Sequence, residues 1–302
     1  EKNWSRGGLK FCRTHTNAEA KFDGFAQEWP VQEVIVNSRK MVAKRPPIVL
    51  AHGLVHPLGA ATDALLQRSY FVGVPEFLRQ RGYRVLDPKV SNMGHVADRA
   101  QQLRDRIEAW DERQAEEKVV IIAHSLGGLD ARYCLSQLEG DQVIESLVSI
   151  GTPHQGCCVA DFVVDGLSPV SEVTDVLHKV GLSLKALECL TTEYMQKEFN
   201  VNCPDSPDVN YYSISGQKGL DVKEYSPILR PSFKHVLKKE GPNDGMVSVK
   251  SSKWGQHLGI YPVDHIEQIS TKHSVTVHMY NQIINSLFDA PKVDSANQPA
   301  AA

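Results

Sequence analysis

The chain has 302 residues, 41% hydrophobic and 23% charged, with a formal net charge of -3. That length and composition fit a globular protein with one large core or two small ones. A negative balance excludes nucleic acid as a partner, since phosphate binding needs a strong basic excess, and no apolar run approaches the ~18 residues of a transmembrane span.

Residues 1–46 form a polar N-terminal extension of unknown role, with one strand expected at Val31–Asn37. Its basic run, Arg39 to Arg45, reads as a solvated linker rather than a membrane contact. No signal-like segment opens the chain at Glu1. A soluble protein is expected, and secreted, intracellular and organellar settings all stay open. Six cysteines (Cys12, Cys134, Cys157, Cys158, Cys189 and Cys203) match no zinc spacing. Cys134 reads as a buried thiol in a core helix, and a loop closed by Cys189 and Cys203 remains open.

From residue 47 to 288, strand and helix signals alternate. Ile48-Val49-Leu50-Ala51 is an uninterrupted apolar run, the mark of a strand buried on both faces. Pro75 opens a helix that Gly82 closes, and a strand follows at Tyr83–Leu86. Val96, Ala100, Leu103, Ile107 and Trp110 recur on one face of an amphipathic helix. Val119–Ile122 is a second apolar strand, and Leu126–Leu138 a helix that stops before Gly140. Val143–Ile150 and Val209–Ser215 supply further strands. A last helix is expected to carry Ile266 and Ile269, with Ile283, Ile284 and Leu287 further on. The tail, 289–302, is poor in large apolar residues and reads as disordered. Such alternation predicts an α/β fold with a mainly parallel sheet and helices on both faces. Chemistry is then expected just after the apolar strands, at their carboxyl ends.

The strand at 119–122 runs into Ala123-His124-Ser125-Leu126-Gly127-Gly128. This resembles the nucleophile elbow of α/β-hydrolases, G-x-S-x-G, with alanine in the first position. Small residues two before and two after the serine let strand and helix approach closely, and a strained serine there presents its hydroxyl to the cleft. The bland alternative is a helix N-cap serine. His52-Gly53-Leu54 follows the strand at 48–51 in the position of an oxyanion loop. By analogy, the backbone N–H groups of Leu54 and Leu126 are the oxyanion donors.

The fold's chain order, serine, then acid, then histidine, with His154 too soon after Ser125 and His178 in the suspected lid, leaves His235, His257, His265, His273 and His278 of the twelve histidines. Asp244, in the turn Gly241-Pro242-Asn243-Asp244-Gly245, precedes His265 in Val263-Asp264-His265-Ile266. A loop histidine held by a loop aspartate can take the serine proton and return it to a leaving alcohol. Read alone, Asn243-Asp244-Gly245 is equally an ordinary turn. Asp264 is the rival acid, although a residue adjacent to His265 usually points away from it.

Together the motifs resemble the bacterial true-lipase family and the fungal mitochondrial triacylglycerol lipases. The matching pieces include Leu50-Ala51-His52-Gly53-Leu54, Tyr70-Phe71-x-Gly73-Val74, His124 through Tyr133, Ile150-Gly151-Thr152-Pro153-His154-x-Gly156, and Gly241 through Gly255. The resemblance implies a triad of Ser125, Asp244 and His265. It also implies oxyanion donors at Leu54 and Leu126, a helical lid inserted at about 157–205, and a lipid ester substrate met at an oil–water or membrane interface. No cofactor is implied. Several bacterial members hold a structural calcium, for which Glu267 and Asp221 are the candidate ligands here. Val163, Val164, Leu167, Val170, Val173 and other apolar residues up to Leu187 fit lid helices, and equally plain packing on the sheet. Triacylglycerol lipase therefore leads. Short-chain carboxylesterase, phospholipase and a non-catalytic binding protein of the same fold stand as alternatives.

Overall fold

The computed structural model describes residues 45–54, 69–91, 94–167 and 184–288. The expectations for the strand at 31–37, for nearly all of the N-terminal extension and for the tail from 289 lie outside the described residues.

Six strands form one sheet in the order β2-β1-β3-β4-β5-β6, every neighbouring pair parallel. These are β1 (Ile48–Ala51), β2 (Val85–Leu86), β3 (Val119–His124), β4 (Ile144–Ile150), β5 (Asn210–Gly216) and β6 (Gln256–Tyr261). All residues of β1 and β3 are buried, which explains the apolar runs Ile48–Ala51 and Val119–Ala123. Leu50, Ile122, Val148 and Ile214 pack on one face with Leu78, Met279 and Ile283. Val49, Ile121 and Leu147 pack on the other with Ala100, Leu103, Ile107 and Ala131. Those partners come from helices α1 (Val74–Arg79), α2 (Val96–Glu108), α3 (Leu126–Gln137) and α8 (Ser274–Phe288).

From β1 the chain steps outward to β2, then returns to lay β3 on the other side of β1. Ala51 and Ala123 are register partners, so both strands end together where the direction of winding reverses. Such a switch point opens a crevice at the carboxyl ends of the strands.

Beyond β4 come α4 (Cys158–Leu167), α5 (Leu184–Glu188) and a helical run, Thr192–Tyr194, Met195–Phe199 and Asn200–Asn202, with a π-helical middle. Cys157, Ala160, Leu190, Met195 and Phe199 pack on Leu126 and Leu129 of α3. Cys189 and Cys203 are both buried free thiols, so the loop closure left open does not form; Cys134 is buried and free as expected.

Three features differ from the expectation. β6 is an edge strand whose Gln256 and Ile260 are exposed and which carries Gly259, so it lacks the apolar run that marked β1 and β3. α6 (Arg230–Lys239) and the short α7 (Val249–Ser252) were not anticipated, although Pro231 at the start of α6 and Leu229, Phe233 and Val236 at helical spacing signal the former. The last helix does not carry Ile266 and Ile269. They flank or end a separate 3-10 turn, Glu267–Ile269, before α8 begins at Ser274.

Candidate active site

Ser125 sits between β3 and α3 with φ 55° and ψ -129°. A non-glycine residue at positive φ is costly and persists only where the surroundings impose it. Here Ser125 N–H donates to the Ile150 carbonyl at 3.0 Å, and the Ser125 carbonyl accepts from Thr152 Oγ1 at 2.8 Å. Two residues on, a Cβ at Gly127 would run into the Ala51 and His52 carbonyls of the β1 strand end. Two residues before, fully buried Ala123 fits within β3. Strand and helix therefore meet closely, and Ser125 faces a cavity rather than capping α3: no side-chain cap bond forms.

Across that cavity, His265 Nε2 lies 3.0 Å from Ser125 Oγ, and His265 Nδ1 lies 2.8 Å from Asp244 Oδ2. The Asp244 carboxylate is 1% exposed and fully partnered. Oδ1 accepts from the N–H groups of Met246 and Val247 at 3.0 and 2.8 Å, and Oδ2 also accepts from Gln268 Nε2 at 2.9 Å. The His265 N–H donates to the Asp244 carbonyl at 2.8 Å, pinning the two loops together. Asp264 turns elsewhere. Its Oδ2 accepts from Ser226 N–H and Oγ, both at 2.7 Å, and its Oδ1 from Ile266 and Glu267 N–H, both at 3.0 Å.

Leu54 lines the same cavity as Ser125 and His265, and Leu126 is the first residue of α3. His52 shapes the Leu54 loop. Its Nε2 accepts from Val90 N–H at 3.1 Å, which leaves the proton on Nδ1 to donate to the Gly53 carbonyl at 2.8 Å. That carbonyl and the Leu54 N–H are opposite ends of one trans peptide, so holding one fixes the other. Burial, with the Arg99 charge behind it, pushes the His52 imidazole down to about 4. Fully buried Arg99 donates to the His52 carbonyl at 2.8 Å and forks onto Asp130 of α3 at 2.7 to 3.1 Å. The Leu54 loop and the helix after Ser125 are thereby joined.

The cavity measures about 850 Å³ and is walled largely by hydrocarbon, with Phe71, Val163, Leu187, Leu190, Ile228 and Met246 among its lining. α4 and the end of α5 contribute to that wall; residues 168–183, including His178, lie outside the described residues.

The two carboxylates offered to calcium each have protein partners of their own. Asp221 Oδ1 accepts from Lys223 N–H at 2.9 Å, capping its own turn. Glu267 Oε1 takes the Lys218 ammonium at 2.6 Å, and its Oε2 accepts from Asp264 N–H at 3.0 Å. Lys218 also donates to the Glu224 carbonyl at 2.7 Å. Calcium needs six to eight converging oxygens. Among the described residues no group of three or more His, Cys, Asp or Glu is placed to hold a metal.

Gln268 is not singled out in the sequence, and Tyr70 and His124 appear there within motifs but with no role; Gln268 and His124 stand beside the Asp244–His265 pair, and Tyr70 reaches it through His124. His124 is 1% exposed, its ring centroid 4.5 Å from that of His265. The available signal was positional: His124 precedes Ser125, and Gln268 lies three residues after His265.

A parallel sheet with a strained serine at the switch point defines an α/β-hydrolase. A lipase of Bacillus licheniformis in its mature form shares this fold, with a TM-score of 0.58 at 23% identity, over 80% of this chain and 93% of that one. A metagenomic carboxyl esterase does so with a TM-score of 0.65 at 19% identity, over 82% and 76%. Residues 91–164 match the family model of lecithin:cholesterol acyltransferase. Triacylglycerol lipase 2 of Saccharomyces cerevisiae is 34% identical over 222 residues, 70% of this chain but 65% of the yeast protein, just under two thirds of its length. The triacylglycerol lipase of Vibrio cholerae is 30% identical over 288 residues, 82% of this chain and 88% of that protein. The chain belongs to the triacylglycerol lipase family. Among the described residues no helix is long and apolar enough to cross a membrane.

Proposed function

We propose that this protein hydrolyses long-chain acyl esters, triacylglycerol foremost, through an acyl-enzyme on Ser125. One observation carries the reading: the Ser125–His265–Asp244 hydrogen-bond line borders an apolar cavity large enough for an acyl chain. Ser125 Oγ attacks the ester carbonyl as His265 Nε2 takes its proton, with Asp244 holding the imidazole in the productive tautomer. The oxyanion is received by the N–H groups of Leu54 and Leu126. Collapse expels the alcohol, protonated by His265, and leaves the acyl group on Ser125. Water, deprotonated by His265, then releases the fatty acid and restores the serine.

The chemistry is carried by side chains and backbone alone and needs no cofactor. Calcium has no part in this reading, because the Lys218 ammonium already supplies positive charge to Glu267 beside the histidine loop. α4 and α5 act as the lid that covers the acyl cavity in water and yields at a lipid interface.

An ester panel from acetate to long-chain triacylglycerol, run in solution and as emulsion, tests the assignment. Preference for emulsified long-chain ester is expected. Turnover confined to dissolved short-chain esters assigns a carboxylesterase instead, and absence of turnover on every ester favours a binding protein.

A further inference from the structure

Beyond the triad, the site contains a line of buried and half-buried polar groups whose proton directions follow from one another. The Asp244 carboxylate only accepts, so Gln268 presents its amide N–H there, at 2.9 Å. Its Oε1 therefore faces His124 Nε2, at 3.1 Å, which must carry the proton. Burial, with the His265 charge next in weight, holds His124 well below the ordinary histidine range and keeps the ring neutral, leaving Nδ1 bare. Tyr70 Oη, 2.8 Å away, must then donate to Nδ1. The Tyr70 hydroxyl also packs closely against Gly53, in the loop that carries Leu54: a Cβ at Gly53 would lie only 3.1 Å from it.

The geometry points to Gln268 and His124 as positioning residues that tie the placement of the triad acid to that of the oxyanion loop. This inference rests on the Ser125–His265–Asp244 reading and extends it. Gln268 is fully buried, and its carbonyl accepts from Tyr280 Oη at 2.9 Å. Glycines at 151 and 216, the ends of β4 and β5, make room for it; a Cβ at either would collide with the Gln268 amide. The fold thus builds a slot around this side chain. Movement of the amide would release one of the bonds on Asp244 Oδ2, free His124 to turn, and loosen Tyr70 against Gly53.

Gln268→Met keeps length and removes both polar bonds. It should lower kcat on a soluble short-chain ester about ten- to hundredfold while KM stays within about twofold, as expected for misalignment without loss of substrate contacts. Tyr70→Phe should lower kcat less. The two changes are expected to be non-additive, the double variant resembling Gln268→Met alone, because His124 connects them. Full additivity, or Gln268→Met turning over at the wild-type rate, would overturn the proposal. Asp244→Asn measured alongside separates the causes: if it too is active, the triad reading itself has failed. Where a variant does not fold, nitrogen NMR of His124 in the wild-type protein decides. A proton on Nε2 from pH 6 to 9 is expected, and a proton on Nδ1 overturns the chain.

Discussion

Asp244 and Asp264 both lie within reach of the loop that carries His265, yet only Asp244 faces the imidazole, 21 residues away in the chain. Asp264 spends its four acceptor positions on Ser226, Ile266 and Glu267. Asp244→Asn should therefore cost about 10⁴-fold in kcat by presenting a donor to His265 Nδ1 and forcing the wrong tautomer. Asp264→Asn should lower stability, measured as Tm, while leaving kcat within about tenfold. Crippling by Asp264→Asn alone would reverse the assignment of the acid.

The elbow yields a steric prediction. Ala123→Gly, which restores the glycine common at that position, should cost no more than about 1 kcal/mol and leave turnover unchanged. Gly127→Ala should cost about 3 kcal/mol or more by driving a methyl into the Ala51 and His52 carbonyls. Urea unfolding and an ester assay of both variants check this.

Stability should fall steeply in mild acid. His52, His124 and His154 are all held below the ordinary imidazole range, first by burial and then by a neighbouring charge. As pH drops from 6.5, the unfolded chain binds protons at these positions that the folded chain refuses, so the native state loses ground. For His52, whose value drops from 6.5 to about 4, the loss reaches about 3 kcal/mol by pH 4. Tm recorded from pH 7 to 4 should decline, and His52→Asn should flatten part of that decline. An unchanged slope in the variant would show that His52 is not the neutral buried group described.

Removal of divalent metal should leave the enzyme intact. With Lys218 bound to Glu267 and to the Glu224 carbonyl, a chelator should change neither Tm nor turnover. Lys218→Met should lower Tm by about 3 °C, the scale of one partly buried ion pair. Chelator-induced inactivation of the wild type, reversed by calcium, contradicts this.

Much of the site was legible because its chemistry sits where local patterns are strongest. Two of the four inner strands, β1 and β3, are apolar up to Ala51 and Ala123, so the motifs at their ends, His52-Gly53-Leu54 and His124-Ser125-Leu126, could be placed at strand termini. The edge strand β6 was not legible: one face meets solvent, and Gly259 and Gln256 dilute its signal. The 3-10 turn after His265 was merged with α8 because Ile266 and Ile269 share a helical spacing with the apolar residues of that helix. Gln268 was invisible for another reason. A glutamine in a polar loop gives no sign that Gly151, Gly216 and Asp244, all distant in sequence, enclose it.

Peptide mapping after reaction with a p-nitrophenyl phosphonate tests the central claim most directly, since the reagent phosphonylates only an activated nucleophile. A single adduct on Ser125, formed with loss of ester hydrolysis and absent from Ser125→Ala, is the predicted result. An adduct on another residue, or continued ester hydrolysis by Ser125→Ala at the wild-type rate, would contradict it.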